Sequence, residues 1–120
     1  MPPILDPDDL CAKVFAIDST IRFAGVIDRM GKLVAGGMRG GLKPLESVTD
    51  MGKLYLEFAL RNAMRREFDP EFGPTIYAMS ERERLKIATF PLPDENLLVI
   101  SIEKISPHDR IISRILGLVR

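Results

Sequence analysis

The order of hydrophobic patterns along this chain predicts an α+β fold. One five-stranded antiparallel sheet is expected, with a long central helix and a helix at each end (order α-β-β-α-β-β-β-α). Three observations carry that expectation. Two alternating segments, residues 20–27 and 32–38, flank a four-residue turn. One long helical pattern follows, from Ser47 to Phe68. Three more strand-like runs then precede a last segment of helical periodicity. The 120 residues fit one domain, expected to span 1–120. With 46% apolar residues the chain can bury a core without a disulfide or metal staple.

The first helix is expected over Asp6–Asp18. Asp6 can cap it, Pro7 suits the first turn, and Asp8 and Asp9 complement the positive helix end. Leu10, Val14 and Ile17 recur at helical spacing, with Cys11 and Phe15 beside them. Cys11 is the single cysteine, so neither an intramolecular disulfide nor a cysteine-based zinc site can form. It reads as a small buried apolar residue.

The strand Thr20–Ile27 sets Ile21, Phe23, Gly25 and Ile27 on one face and Arg22, Ala24 and Val26 on the other. Asp28-Arg29-Met30-Gly31 makes the turn, and Lys32–Met38 returns as the second strand of a hairpin. A glycine-rich segment, Gly36–Pro44, carries Arg39 and Lys43. A phosphate-binding loop needs Lys-Ser/Thr directly after its last glycine, and Leu42-Lys43-Pro44 stands there instead. The segment therefore reads as a flexible strand-to-helix connection.

The central helix, Ser47–Phe68, has more apolar surface than one stripe. Val48, Met51, Tyr55, Phe58 and Ala59 form one line. Leu56, Leu60, Ala63 and Met64 form another, and Leu54 lies off both. Packing on one sheet needs a single stripe of roughly 100°. The surplus implies a further partner, with a second subunit favoured. Arg61, Arg65 and Arg66 close the helix beside Glu57 and Glu67, and read first as a solvated face.

Asp69–Pro74 is a break marked by Pro70, Gly73 and Pro74. Strands are expected over Thr75–Ser80, Leu85–Phe90 and Leu97–Ile102, with Glu81–Arg84 and Pro91–Asn96 as the turns. The continuously apolar Leu97–Ile100 predicts a strand covered on both faces. Ser106 is expected to cap the last helix, with Pro107 in its first position. Ile111, Ile112, Ile115, Leu116 and Val119 give that helix its apolar face.

Seventeen basic and seventeen acidic side chains cancel, without the basic excess of a nucleic-acid binder. No apolar stretch approaches the ~20 residues of a membrane span. The first residues lack the basic start and long apolar run of an export signal, so a cytoplasmic location is expected. His108 is the only histidine, and nothing accompanies it for nucleophilic or metal chemistry. No catalytic, cofactor-binding or metal constellation emerges, and a non-enzymatic role is expected.

The hairpin Ile21–Ile27, Asp28–Gly31 and Lys32–Gly37, together with Leu85–Phe90 and Leu97–Ile102, resembles the Roadblock/dynein light chain family on its profilin-like (longin-like) scaffold. The resemblance covers most of the chain. It implies homodimers or heterodimers built through the second strand and the long helix. It also implies a platform that docks a partner protein, often a small GTPase. Carried over, the interface involves Val34, Gly36 and Met38 from the strand and Met51, Tyr55, Phe58, Arg61 and Asn62 from the helix. Independently of any family motif, Arg61, Arg65 and Arg66 form the candidate docking edge. The competing expectation is a small-molecule sensor of the PAS or profilin kind, with Phe23, Phe58 and Phe90 lining one cavity.

Overall fold

A computed structural model describes residues 6–120, with the side chain of Val48 also outside the description. The reading of the first five residues as lacking an export signal lies outside the described part. Helix α1 (Pro7–Phe15) leads into strands β1 (Ile21–Ile27) and β2 (Leu33–Met38). The long helix α2 (Val48–Arg66) and a single turn, α3 (Asp69–Phe72), follow. Strands β3 (Ala78–Glu81), β4 (Leu85–Pro91) and β5 (Leu97–Glu103) precede helix α4 (His108–Val119). The five strands form one antiparallel sheet in the order β2-β1-β5-β4-β3. This is the α+β architecture expected from the pattern.

Helices cover the sheet on both sides. Leu10, Cys11 and Val14 of α1 and Ile111, Ile112 and Ile115 of α4 bury one face. Tyr55 and Ala59 of α2 pack on the other, against Phe23, Ile27, Leu97 and Val99. Strand β5 runs between the two cores. Its Leu97 and Val99 face α2 while Leu98, Ile100 and Ile102 face α1 and α4, which explains its unbroken apolar run.

Four details differ from expectation. First, a register shift against β5 between Ile21 and Phe23 moves Ile21 onto the face of Ala24 and Val26, away from Phe23 and Ile27. Second, β3 starts only at Ala78, three residues later than predicted. Third, Asp69–Phe72 winds one helical turn inside the predicted break, Pro70 suiting its start. Fourth, Ser106 does not cap α4: its hydroxyl donates back to the Glu103 carbonyl, and Pro107 takes the cap position.

The connection from α1 to β1 is closed by side chains. The Asp18 carboxylate accepts from the Thr20 N–H at 2.8 Å and the Thr20 hydroxyl at 2.6 Å. The Thr20 hydroxyl, then its N–H, hold the Asp18 carboxyl below its ordinary value of 3.8. The folded chain thus prefers the charged form, so this contact stabilises above the ordinary value and is lost as pH falls through the folded one. Asp18→Ala is expected to lower the urea midpoint at about pH 7, with the difference from the parent vanishing near about pH 2. A difference constant with pH would rule the carboxylate out as the cause.

Candidate functional site

The side chains with chemical potential are scattered, and most are committed to the fold. Cys11 is buried between α1 and the hairpin, and burial, reinforced by Asp8, pushes its thiol up to about 11. It is no nucleophile. Arg39 of the glycine-rich segment donates from Nε to the Ile21 carbonyl and from Nη2 to those of Phe15 and Asp18, each at 2.8 Å. Its guanidinium also lies 4.9 Å from the centre of the Phe15 ring. The cation that could have met a phosphate is a clamp on the α1–β1 connection.

Lys86 is buried on β4, with its Nζ 2.8 Å from His108 Nδ1 and 3.3 Å from the Ser106 carbonyl. That arrangement ties the start of α4 to the sheet. Glu81 pairs with Lys104 at 2.9 Å rather than with its arginine neighbours. Among the described residues no group of three His, Cys, Asp or Glu side chains could hold a metal ion.

What the structure offers is a surface. Helix α2 packs over β1, β5, part of β2 and Ile87 of β4, and leaves β3 exposed beyond it. A groove of about 820 Å³ opens there. Leu54 and Phe58 form its α2 wall, Leu85, Ile87 and Thr89 form its floor, and the backbone of β3 forms its far rim. Arg61, Arg65, Arg82 and Arg84 stand around it with Glu46, Glu57 and Glu83. The rim thus carries charges of both signs, which a twofold copy of the same patch can match. The free edge of β3 presents backbone groups that no strand among the described residues satisfies.

The residues named from sequence distribute unevenly around this groove. Phe58, Arg61 and Arg65 line it. Tyr55 and Asn62 are buried within their own chain, and Met51 and Met38 pack half-buried on the same α2 core. They have little surface left for a second subunit. Val34 is exposed on β2, at the opposite edge of the sheet. Gly36, on the same strand, sits at φ 89° with the Ala24 carbonyl directly beneath it. Arg66 turns away from Arg61 and Arg65 to pair with Glu95 at 2.9 Å, while Arg61 pairs with Glu57 at 3.1 Å. The three arginines do not form one edge.

The two apolar lines on α2 thus resolve: Met51, Tyr55, Phe58 and Ala59 meet the sheet, and Leu56, Leu60 and Met64 face outward. Leu54, which fitted neither line, is a groove residue. Its isolation from both stripes was the one available signal.

The sensor reading loses its cavity. Phe90 belongs to the α1/α4 core, on the opposite side of the sheet from Phe23 and Phe58, so the three cannot line one chamber. Phe23 and Phe58 border a space of only about 40 Å³, far below the ~300 Å³ at which small-molecule pockets begin.

Several solved structures share the fold. The gliding protein MglB from Thermus thermophilus superposes with a TM-score of 0.74 at 14% identity, covering 99% of this chain and 92% of that one. A Roadblock/LC7 domain from Streptomyces avermitilis gives 0.71 at 13% identity, over 96% and 92%. MglB from Myxococcus xanthus gives 0.68 at 12%, over 92% and 89%. The fold is that of Roadblock/LC7 domains. No curated protein matches the sequence. A family model described as a family of unknown function (DUF6659) matches residues 4–119.

Proposed function

The chain belongs to that family of unknown function, DUF6659, and from this premise we propose that it acts as a non-enzymatic, self-associating docking module built as a single Roadblock-like domain over residues 1–120. One observation carries the proposal: beside α2 the sheet ends in an exposed edge strand, β3, with a groove between the two. Leu54, Phe58, Leu85 and Ile87 are half-buried along the groove, and a helix laid into it would remove their remaining surface from water.

A second copy supplies such a helix. Two α2 helices lie side by side, each filling the other's groove, while the two β3 edges approach across the twofold axis. This moves the strand contribution from β2 to β3, because β3 borders the groove and β2 lies at the far edge. Of the helix residues named from sequence, Phe58, Arg61 and Arg65 remain in the contact.

The paired domain then presents a continuous platform to a partner protein. A small GTPase is the partner class that the family resemblance suggests, and the structure adds no nucleotide chemistry of its own to that role. No helix of the described residues is long and apolar enough to cross a membrane.

Light scattering on a sizing column tests the contact. The parent chain is expected near twice its 13.5 kDa mass, or about 27 kDa. Leu54→Glu is expected to shift it to monomer without loss of fold, because Leu54 is half-buried and outside both cores. A Leu54→Glu chain that associates as strongly as the parent would overturn the groove contact. Retention of small GTPases in their two nucleotide states by the immobilised parent, and its loss with Arg65→Glu, would test the docking step.

A further inference from the structure

The register shift in β1 has a chemical consequence. Ile21 pairs with Ile102 and Phe23 with the adjacent Ser101, so Arg22 is the extra residue of a bulge. Ile21 faces α1 and α4. Arg22 and Phe23 both border the small space under α2, together with Tyr55, Phe58, Ser101 and Glu46. Strict alternation would have put Arg22 on the side opposite Phe23. The bulge instead brings a largely buried arginine, its side chain 16% exposed, to an aromatic wall.

The groups around that space are unequally satisfied. Arg22 donates from Nη1 to Glu103 and from Nη2 to the Lys43 carbonyl, both at a long 3.3 Å. A guanidinium carries five donors, so N–H groups remain for a further acceptor. The Tyr55 hydroxyl is buried and has no hydrogen-bond partner among the described residues. Burial first, and then the charge of Glu46, raise its phenol above the ordinary 10.0. Glu46 stands half-buried on the connection into α2 and makes no ion pair among the described residues. An arginine with donors to spare, a hydroxyl without an acceptor and an acid without a cation thus border one space. Its volume of about 40 Å³ has room for about three water-sized groups. Arg22, Glu46 and Ser101 each keep some exposed surface, so the space opens to solvent. It cannot take a nucleotide or a larger cofactor, but a ligand of a few non-hydrogen atoms fits.

We propose that this space binds a small zwitterionic α-amino acid of the size of glycine, with its carboxylate on Arg22 and its ammonium in the mouth on Glu46. A carboxylate oxygen also accepts from the Tyr55 hydroxyl. The charges select the ligand class. A simple carboxylate is repelled by Glu46, and a simple amine by Arg22. A zwitterion satisfies both, across the single carbon that separates its charges. Phe23 and Phe58 leave no room for a long side chain. Phe58 borders both this space and the groove, which sets the ligand beside the docking surface without making it part of it. The site needs no second copy and does not rest on the docking reading.

Tyrosine fluorescence tests the proposal, because the chain has no tryptophan and only two tyrosines. Tyr77→Phe keeps the ring that stacks on Phe90 and leaves Tyr55 as the one emitter. At constant ionic strength, glycine is expected to change that emission saturably, with half-saturation in the millimolar range. Acetate and methylammonium are each expected to bind about tenfold more weakly. Glu46→Gln is expected to weaken glycine about tenfold and to leave acetate binding equal or tighter. Arg22→Gln is expected to weaken glycine and acetate alike. That variant also loses the Glu103 pair, so Glu46→Gln, whose side chain pairs with nothing in the fold, carries the decision if Arg22→Gln unfolds. No saturable change with glycine up to roughly 100 mM overturns the site. Acetate binding as tightly as glycine, or glycine binding unchanged in Glu46→Gln, overturns the zwitterionic ligand.

Discussion

Gly36→Ala is expected to destabilise the chain by about 3 kcal/mol or more, lowering Tm by roughly 10 °C. Gly36 sits at φ 89°, a conformation that costs an alanine roughly 1–2 kcal/mol. Steric overlap adds to that. A Cβ there would lie 2.1 Å from the Ala24 carbonyl oxygen and 2.7 Å from the Gly25 Cα. Both are backbone atoms of β1, the strand paired with β2 at Gly25 and Gly36. They cannot rotate aside as a side chain would. Relief requires the hairpin to open locally, which also disturbs Cys11, whose sulfur would lie 2.9 Å from the added carbon. Thermal unfolding of the monomeric Leu54→Glu background measures the effect free of association. A loss under about 1 kcal/mol would mean that the hairpin backbone yields easily. The family resemblance placed Gly36 in an intermolecular contact, but the demand for glycine comes from within its own chain.

Tyr55→Glu is expected to cost about 3 kcal/mol or more and to abolish cooperative unfolding of the folded monomer, not merely its association. Tyr55 is 7% exposed and its ring lies 5.9 Å from that of Phe23, at the centre of the α2 core. A carboxylate there would sit among apolar side chains and near Glu46, and Arg22, which borders the same small space, is already paired with Glu103. Tyr55→Phe is the matched control. The Tyr55 hydroxyl has no hydrogen-bond partner among the described residues, so its removal is expected to change stability by less than about 1 kcal/mol. Circular dichroism with urea distinguishes the two roles. A Tyr55→Glu chain that folds normally as a monomer would return this residue to the interface.

The succession of elements along the chain was largely legible in the sequence, and the reasons are local. The hairpin shows itself because Asp28–Gly31 interrupts two alternating runs, with Gly31 taking positive φ as such turns demand. Strand β5 shows itself because a strand buried on both faces has no polar alternation to maintain. The register shift at Ile21–Phe23 was not legible, since strict alternation and a bulge differ by one unpaired residue and no local signal.

The groove was hidden for a related reason. Periodicity tells which residues of α2 are apolar, not where on the sheet the helix lies, and it is the lateral placement that leaves β3 exposed beside it. The choice between the two apolar lines of α2 likewise depends on rotation about the helix axis. Arg39 was visible as a cation in a glycine-rich segment. Its three carbonyl acceptors come from Phe15, Asp18 and Ile21, which only the folded chain brings together.

The pairing of β1 with β5 joins Ile27 to Leu97, seventy positions along the chain. The middle of the sheet is therefore among the last contacts that synthesis makes available. At the ~5–20 residues per second of translation, roughly 4–14 seconds separate the two strands. During that interval the hairpin and α2 exist without the strand that completes either core, and loop closure over that span must precede any gain from pairing. The sequence separation of these paired strands thus leaves an open-sided hairpin exposed during synthesis, a kinetic interval that the final structure conceals.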